Sequence, residues 1–528
     1  MEFKYYIIVV TSVLLLHTTR TIGADKPCKA RPIKGESVVC LCNTTYCDTI
    51  TRELPEQGKY VVYVSSKNGL RFNKSTGDLQ RINDSYTCCP IVLEVNPDVS
   101  YQTIEGFGGA VTDAAGINWR NLSTTLQKYM IDSYFGDSGL QYNMIRTPIG
   151  GSDFSTRGYA YNELPANDSK LTNFTLTYED YQYKIPMIKA AMQAANTPIH
   201  IVATTWSPPK WMKTSNQYTR FGYLKPEYYQ TYADYHKRFI EKYTNEGIPI
   251  WGITTTNEPT NCALGFSPIN CLGWTAAKLG SWISNYLGPT IRNSTFKDLK
   301  IITGDDQRIT LPYWFTVMIL EDPKVLDYID GVAVHYYTDM ITSPSILSEV
   351  ALTHPEKFIL ATEACEGSIP WDKKKVLFGS WQRAKNYVID IISDLTHSVV
   401  GWIDWNLCLN VNGGPNWVNN FVDSPIIVFP EKGAFIKQPM FYAMGHFSKF
   451  IPRGSRRIKL TQDHSFFKKS IDGVAFLTPD NTIVVVLYNN GPSNTLNIKL
   501  GDRQVIVNVE GDAVVTIELA YNKVQNDY

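Results

Sequence analysis

Between residue 101 and about residue 405, eight short apolar or β-branched runs alternate with longer amphipathic stretches, and this alternation constrains the fold more than any other feature. The runs are Tyr101–Phe107, Tyr142–Arg146, Ile199–Thr204, Gly252–Thr256, Leu299–Thr303, Gly331–His335, Phe358–Thr362 and Val399–Asp404. Each reads as a buried strand. Between them, Tyr181–Ala195, Tyr228–Asn245, Thr275–Ile291 and Leu377–Thr396 repeat apolar residues at three and four, which predicts helices. Eight strand-then-helix units over roughly 300 residues predict an α/β fold of the (β/α)8 (TIM) barrel type. A doubly wound open sheet would share the alternation, but no G-x-G-x-x-G follows any of the runs.

At 528 residues the chain exceeds one ordinary core, so other modules are expected beside the barrel. Gly473–Leu477, Thr482–Leu487, Thr495–Leu500, Gln504–Val509 and Ala513–Leu519 read as strands, with turns at Pro479-Asp480-Asn481, Asn489-Asn490-Gly491 and Glu510-Gly511-Asp512. They predict an antiparallel β-sandwich. Tyr60–Val64 and Ile91–Val95 are strand-like too, so the sandwich is expected to draw on both flanks of the barrel. The expected division is a signal peptide at 1–24 and a small disulfide-stapled antiparallel β domain from 25–51 with 407–437. The sandwich takes 52–100 with 455–528, and the barrel 101–406 with 438–454.

The signal peptide is read from Lys4, the mostly apolar stretch Tyr5–Leu16, and the small residues Gly23 and Ala24 just before Asp25. No later stretch reaches the roughly 18 apolar residues of a spanning helix, so no transmembrane segment is expected. A secretory route would make Asn43, Asn73, Asn83, Asn121, Asn167, Asn173 and Asn293, each in an Asn-x-Ser/Thr sequon, glycosylation acceptors. On the same route Cys28, Cys40, Cys42 and Cys47 would staple a segment with little core of its own. Zinc is the competing reading of that cluster, and four cysteines leave three pairings open. Pairing of Cys88, Cys89, Cys262, Cys271, Cys365 and Cys408 is equally open. With 50 basic and 50 acidic residues and no basic stripe, a nucleic-acid partner is not expected. Eight histidines without an H-E-x-x-H or a clustered set give no reason to expect a metal, and no cofactor is implied.

Two of the predicted strands run into a glutamate. Thr255-Thr256-Asn257-Glu258-Pro259 follows the fourth, and Leu360-Ala361-Thr362-Glu363-Ala364 closes the seventh. The C-terminal ends of barrel strands are where such enzymes keep their chemistry, and two carboxylates are the equipment for cleaving a glycosidic bond. Glu258 would be the proton donor, with Pro259 ending the strand and the Asn257 amide beside it to hold a sugar hydroxyl. Glu363 would be the attacking carboxylate, which needs donors around it. Arg146, at the end of the second strand, and His335-Tyr336-Tyr337, at the end of the sixth, are placed to supply them. Glu366, three residues on, is the rival nucleophile. Asp153, Trp206 and Trp405 with Asp404 lie at other strand ends; singly each could be a turn cap or core residue, but together they outline a cleft.

The chain resembles the lysosomal glucosylceramidase (acid β-glucosidase, glucocerebrosidase) family through essentially the whole mature sequence. The resemblance is carried by Ser37–Cys47, Gly106–Ala115, Asp305-Asp306-Gln307-Arg308, Gly401–Asn406, Gly413–Val418, Asn420–Val428 and Lys437–Tyr442. It implies a retaining β-glucosidase that hydrolyses glucosylceramide to glucose and ceramide, with Glu258 as acid/base and Glu363 as nucleophile. It further implies a glucose pocket lined by Asp153, Trp206, Asn257 and Trp405, with His335 and Tyr337 beside the nucleophile. By the same resemblance, disulfides join Cys28 to Cys40 and Cys42 to Cys47. A lysosomal lumen, membrane-borne glucosylceramide, anionic lipid and a saposin-type activator are the implied setting and partners. The chain departs from the family pattern at Phe266-Ser267 and at Tyr336, where a tryptophan is expected; Cys262, Cys408 and the Cys88-Cys89 pair look additional. The alternatives are a catalytically inactive or secreted carbohydrate- or lipid-binding relative, and a barrel glycosidase acting on another β-glycoside.

Overall fold

The computed structural model describes residues 25–82, 89, 91–265, 268–369, 372–462 and 470–521. The expected signal peptide, the Asn83 sequon, Cys88, Phe266 and Ser267 lie outside the described residues.

Eight parallel strands close into a barrel, each bonded to its two neighbours. They are β1 (Gly106–Ala110), β2 (Met144–Ile149), β3 (His200–Thr205), β4 (Gly252–Thr254), β5 (Lys300–Gln307), β6 (Gly331–His335), β7 (Phe358–Glu363) and β8 (Val399–Asn406). Their residues are buried almost throughout, as expected of a sheet covered by helices outside and packed side chains inside. The first strand is a correction. Tyr101–Thr103 belongs to a different, long strand, Ile91–Thr103, and the barrel begins only at Gly106. Glycines conceal β1: a Cβ at Gly108 would overlap the Met144 carbonyl on the neighbouring strand, so close approach excludes strand-favouring side chains there.

The predicted helices hold with altered ends. Tyr229–Asn245 follows a 3₁₀ turn at Pro226–Tyr228, and Ile185–Ala194 follows a π-helical turn at Asp180–Lys184. The stretch expected at Thr275–Ile291 is helical from Ala276 to Arg292, with a π-helical turn at Ile283–Leu287. The last begins at Trp381, not Leu377, because Gly379 stands at φ +75° and its carbonyl accepts from the Ser37 amide. Among the described residues, no helix is long and apolar enough to cross a membrane.

A ten-stranded sheet combines strands from before and after the barrel. Its order runs Asn73–Asp78, Lys59–Ser66, Ala513–Ala520, Thr482–Asn489, Ile471–Leu477, Arg456–Gln462, Ile91–Thr103, Asn494–Leu500, Arg503–Val509, Gln80–Arg81. Val62, Val485 and Ile517 share one core with Leu496, Val505 and Val507 from the far end of that order, so the sheet folds over itself. The expectation of purely antiparallel pairing is corrected: Asn494–Leu500 runs parallel to Ile91–Val95.

A smaller five-stranded sheet joins Ala30–Pro32, Val38–Asn43, Ala434–Lys437, Ile426–Phe429 and Cys408–Asn410. Here too one pair is parallel, Cys408–Asn410 with Ile426–Val428. Disulfides link Cys28 to Cys40 and Cys42 to Cys47, so these four sulfurs are not thiolate ligands for zinc. A further disulfide links Cys262 to Cys271, while Cys365 and Cys408 are buried thiols. Asn73, Asn121, Asn167, Asn173 and Asn293 are exposed, and Asn43 is half-buried.

Candidate active site

β4 ends at Thr254, yet the chain stays in the sheet for four more residues. Thr255 N–H donates to Ile302 O (3.0 Å), Asn257 N–H to Thr205 O (2.9 Å) and Glu258 N–H to Asp305 O (2.9 Å). Glu258 then takes φ +43°, ψ 61°, the left-handed region that a non-glycine residue rarely occupies. This turns the chain into a short helix, Pro259–Leu264. Pro259 is therefore not the end of the strand but the first residue of that helix, where its missing N–H costs nothing. Glu363 is the last residue of β7.

Carboxylate oxygens of Glu258 and Glu363 and a ring nitrogen of His335 lie within 4.8 Å of one another at the C-terminal rim. Glu363 accepts from Tyr337 Oη (2.8 Å) on one oxygen and from Arg146 Nη1 on the other. Glu258 Oε1 accepts from Gln307 Nε2 (2.7 Å) and His335 Nδ1 (3.0 Å), and its Oε2 accepts from Asn261 Nδ2. His335 Nε2 reaches Asp305 Oδ1 at 3.1 Å, while its Nδ1 is 3.9 Å from Glu363. The histidine thus stands between the two glutamates and bonds Glu258, rather than simply flanking Glu363.

Buried charge sets the electrostatics. Burial opposes the imidazolium of His335, but the surrounding carboxylates of Glu363, Asp305 and Glu258 outweigh it and raise its pKa to about 10, so both ring nitrogens donate. Burial would raise Asp305; Arg146, His335 and Thr254 reverse this and hold it well below the usual carboxylate range. Arg146 is fully buried, and Asp305 and Glu363 keep it charged against desolvation. Its Nη2 also donates to Asn257 Oδ1 (2.7 Å) and to Asp305 Oδ2 (2.9 Å). The Asn257 carbonyl oxygen therefore orients the guanidinium.

Trp206 and Trp405 stack with ring centres 5.2 Å apart, and the Arg146 guanidinium lies 4.8 Å and 5.4 Å from them. Asp153, in the loop after β2, accepts from the side-chain amides of Asn416 and Asn420 at 3.0 Å each. Burial pushes Asp153 up to about 7, partly offset by these amides. Two weaker candidates have partners of their own. Asp404 accepts from Tyr387 Oη (2.7 Å) on the helix Trp381–Thr396, away from the glutamate pair. Glu366 accepts from Tyr336 Oη (2.7 Å) and Asn386 Nδ2 (2.8 Å), a separate set of partners from those of Glu363. Sequence reasoning assigned no role to Asp305, Gln307, Asn416 or Asn420. The acidic and amide-rich run Asp305-Asp306-Gln307 directly after an apolar strand was the signal for the first two.

Two carboxylates facing each other on the C-terminal rim of a closed parallel barrel are the construction of a glycoside hydrolase. Residues 104–451 match the Glycosyl hydrolase family 30 TIM-barrel domain and residues 454–517 the Glycosyl hydrolase family 30 beta sandwich domain. The chain is 42% identical over 470 residues to the lysosomal acid glucosylceramidase of Mus musculus, covering 88% of this chain and 89% of that one. It is also 42% identical over 506 residues to putative glucosylceramidase 4 of Caenorhabditis elegans, covering 93% and 95%. The fold is shared with SrfJ from Salmonella typhimurium at a TM-score of 0.80 and 24% identity, over 88% of this chain and all of that one. The chain belongs to glycosyl hydrolase family 30 and, within it, to the glucosylceramidases.

Proposed function

We propose that this enzyme hydrolyses the β-glucosidic bond of glucosylceramide, releasing glucose and ceramide with the anomeric configuration retained. The observation that carries the reading is the close pair Glu258 and Glu363, with oxygens within 4.8 Å. So close an approach favours a retaining site, whose carboxyl groups stand about 5–5.5 Å apart, over an inverting one, where they stand about 6.5–9.5 Å apart.

Glu363 attacks the anomeric carbon, with Arg146 and Tyr337 as the donors that orient it. Glu258 protonates the departing oxygen. Three of its four acceptor positions are taken by Gln307, His335 and Asn261, and the one left on Oε2 is where the transferable proton sits. In the second half Glu258 removes a proton from water, which attacks the glucosyl-enzyme and frees Glu363. Asp153 and the stacked Trp206 and Trp405 supply a hydrogen-bonding and an apolar wall for the glucose ring.

The likeness to the lysosomal acid glucosylceramidase of the mouse supports a lysosomal lumen as the working compartment. Met340 (81% exposed) and Ile341 (73% exposed), in the loop after β6, favour work at a lipid surface, with anionic lipid or a saposin-type activator as partner. A panel of β-glucosides, β-xylosides and glucosylceramide, assayed with and without anionic vesicles, tests the substrate. Proton NMR of the first-formed sugar tests the stereochemistry. Initial release of α-glucose, or turnover of xylosides in preference to glucosides, would overturn the reading.

A further inference from the structure

Glu258 begins a helix of only six residues, Pro259–Leu264, too short to hold its own shape in water. What fixes its direction lies at its two ends. At the start, Asp306 Oδ2 accepts from Thr260 N–H (3.0 Å) and Thr260 Oγ1 (2.6 Å). Toward the other end, Cys262 is fully buried and bonded to Cys271. Cys271 is itself anchored: its N–H donates to Tyr218 O (3.0 Å), and the buried Lys213 ammonium donates to both Tyr218 O (2.9 Å) and Cys271 O (2.6 Å). Next to it, Asn270 Oδ1 accepts from Trp417 Nε1 (2.9 Å), and Trp417 N–H donates to Asp153 O (3.1 Å). The disulfide therefore connects the helix that starts at Glu258 to a strip that is bonded, through Asn270 and Trp417, to the backbone of Asp153.

We propose that Cys262 and Cys271 are positioning residues whose disulfide holds Glu258 in line with the leaving oxygen and couples it to the glucose pocket. The inference rests on the reading of Glu258 as proton donor. Just past Cys262 the side chain of Leu264 is exposed, as is that of Phe221 on a neighbouring loop, so packing around this end of the helix is thin apart from the disulfide. Without the bond the helix loses its tie at the far end; Asp306 and the bonds of Glu258 itself to Asp305 O, Gln307 and His335 remain, so the carboxyl stays in the site but is less sharply aimed. In the first half-reaction a drift of this kind matters only where the leaving oxygen needs a proton; in the second, where Glu258 is the base, it slows every substrate alike.

The test compares an alkyl β-glucoside, which needs a proton on its leaving oxygen, with an aryl β-glucoside whose leaving group departs as an anion. For the double variant Cys262→Ser/Cys271→Ser, kcat/KM, which reports the first half-reaction, should fall about tenfold or more on the alkyl glucoside and less than about threefold on the activated aryl glucoside. Cys42→Ser/Cys47→Ser, which removes a disulfide far along the chain, should lower Tm without creating that split. Should the first variant fail to fold, the folded wild type is treated with a dithiol, which is oxidised as Cys262–Cys271 becomes two thiols. Peptide mapping then follows the reduction, and the split should grow with the reduced fraction. Equal losses of kcat/KM on both substrates, no loss on either, or activity that survives mapped reduction would overturn the brace. Glu258→Gln separates the two ideas: if it lacks the split, the proton-donor reading falls and the brace with it. If it has the split and the double variant does not, the brace alone falls.

Discussion

His335 stands on Asp305, Nε2 to Oδ1 at 3.1 Å, and the contact fixes which way the ring faces the glutamates. Asp305 is fully buried and bonds Arg146 as well, so one carboxylate beneath the site compensates two cations above it.

Asp305→Asn should therefore destabilise the fold by roughly 3 kcal/mol or more, because it leaves a guanidinium and an imidazolium buried without their counterion. Urea unfolding of the variant measures this. Unchanged stability would mean that Glu258 and Glu363 alone compensate both cations.

The two glutamates should separate kinetically. Glu363→Gln is expected to lose about four orders of magnitude or more on every β-glucoside, since no covalent intermediate forms. Glu258→Gln should lose that much only on alkyl and lipid glucosides, and about a hundredfold or less in the first step on an activated aryl glucoside. Pre-steady-state bursts of the aryl alcohol distinguish slow glycosylation from slow release of glucose. Equal losses across leaving groups would count against these roles.

Glu366→Gln should keep kcat within about threefold of wild type, because the donors on Glu366 come from Tyr336 and Asn386 and not from the reacting pair. Its Tm should drop instead. A loss comparable to that of Glu363→Gln would favour the rival reading of Glu366 as the nucleophile.

Stability should respond to Asp404 with a definite sign. Burial raises this carboxyl from the ordinary 3.8 to about 8, so between those values the folded state keeps a proton that the unfolded state has released. The stability associated with the group is complete below pH 3.8 and is lost as pH rises toward 8. Relative to wild type, Asp404→Asn should gain about 1.4 kcal/mol per pH unit across that window. The difference between the two proteins isolates the group from His236 and His446, buried neutral with pKa values lowered to about 4 and about 3, which act in the opposite direction below pH 6.5. Parallel stability profiles from pH 5 to 8 would show that Asp404 titrates normally.

Much of the barrel could be read because buried parallel strands are apolar throughout and their glutamates end the runs: Gly331–His335 was read to the residue. β1 was misplaced since its glycines carry no strand signal, and Tyr101–Thr103 beside them does. β5 was cut short at Thr303 because a bulge between Gly304 and Asp306 lets Asp305 stand at φ +55° inside a strand, and buried acids imitate a loop. Glu258 and Glu363 stood out as lone acids after β-branched or apolar runs. Their support did not, because Asn416, Asn420 and Gln307 look like any loop amide until the fold brings them to a carboxylate.

The sheet that joins both flanks of the barrel also dictates the order in which the protein can be completed. Lys59–Ser66 and Ile91–Thr103 leave the ribosome long before Arg456–Gln462 and Ala513–Ala520, their antiparallel partners, exist. Ala513–Ala520 is not an edge: it lies between Lys59–Ser66 and Thr482–Asn489. A chain that stops before Ala513 therefore separates Asn73–Asp78 and Lys59–Ser66 from the other strands of this sheet and bares two strand edges ready to pair with another molecule. For this enzyme a premature stop just short of Ala513 cuts through the sheet although it leaves every barrel strand in place.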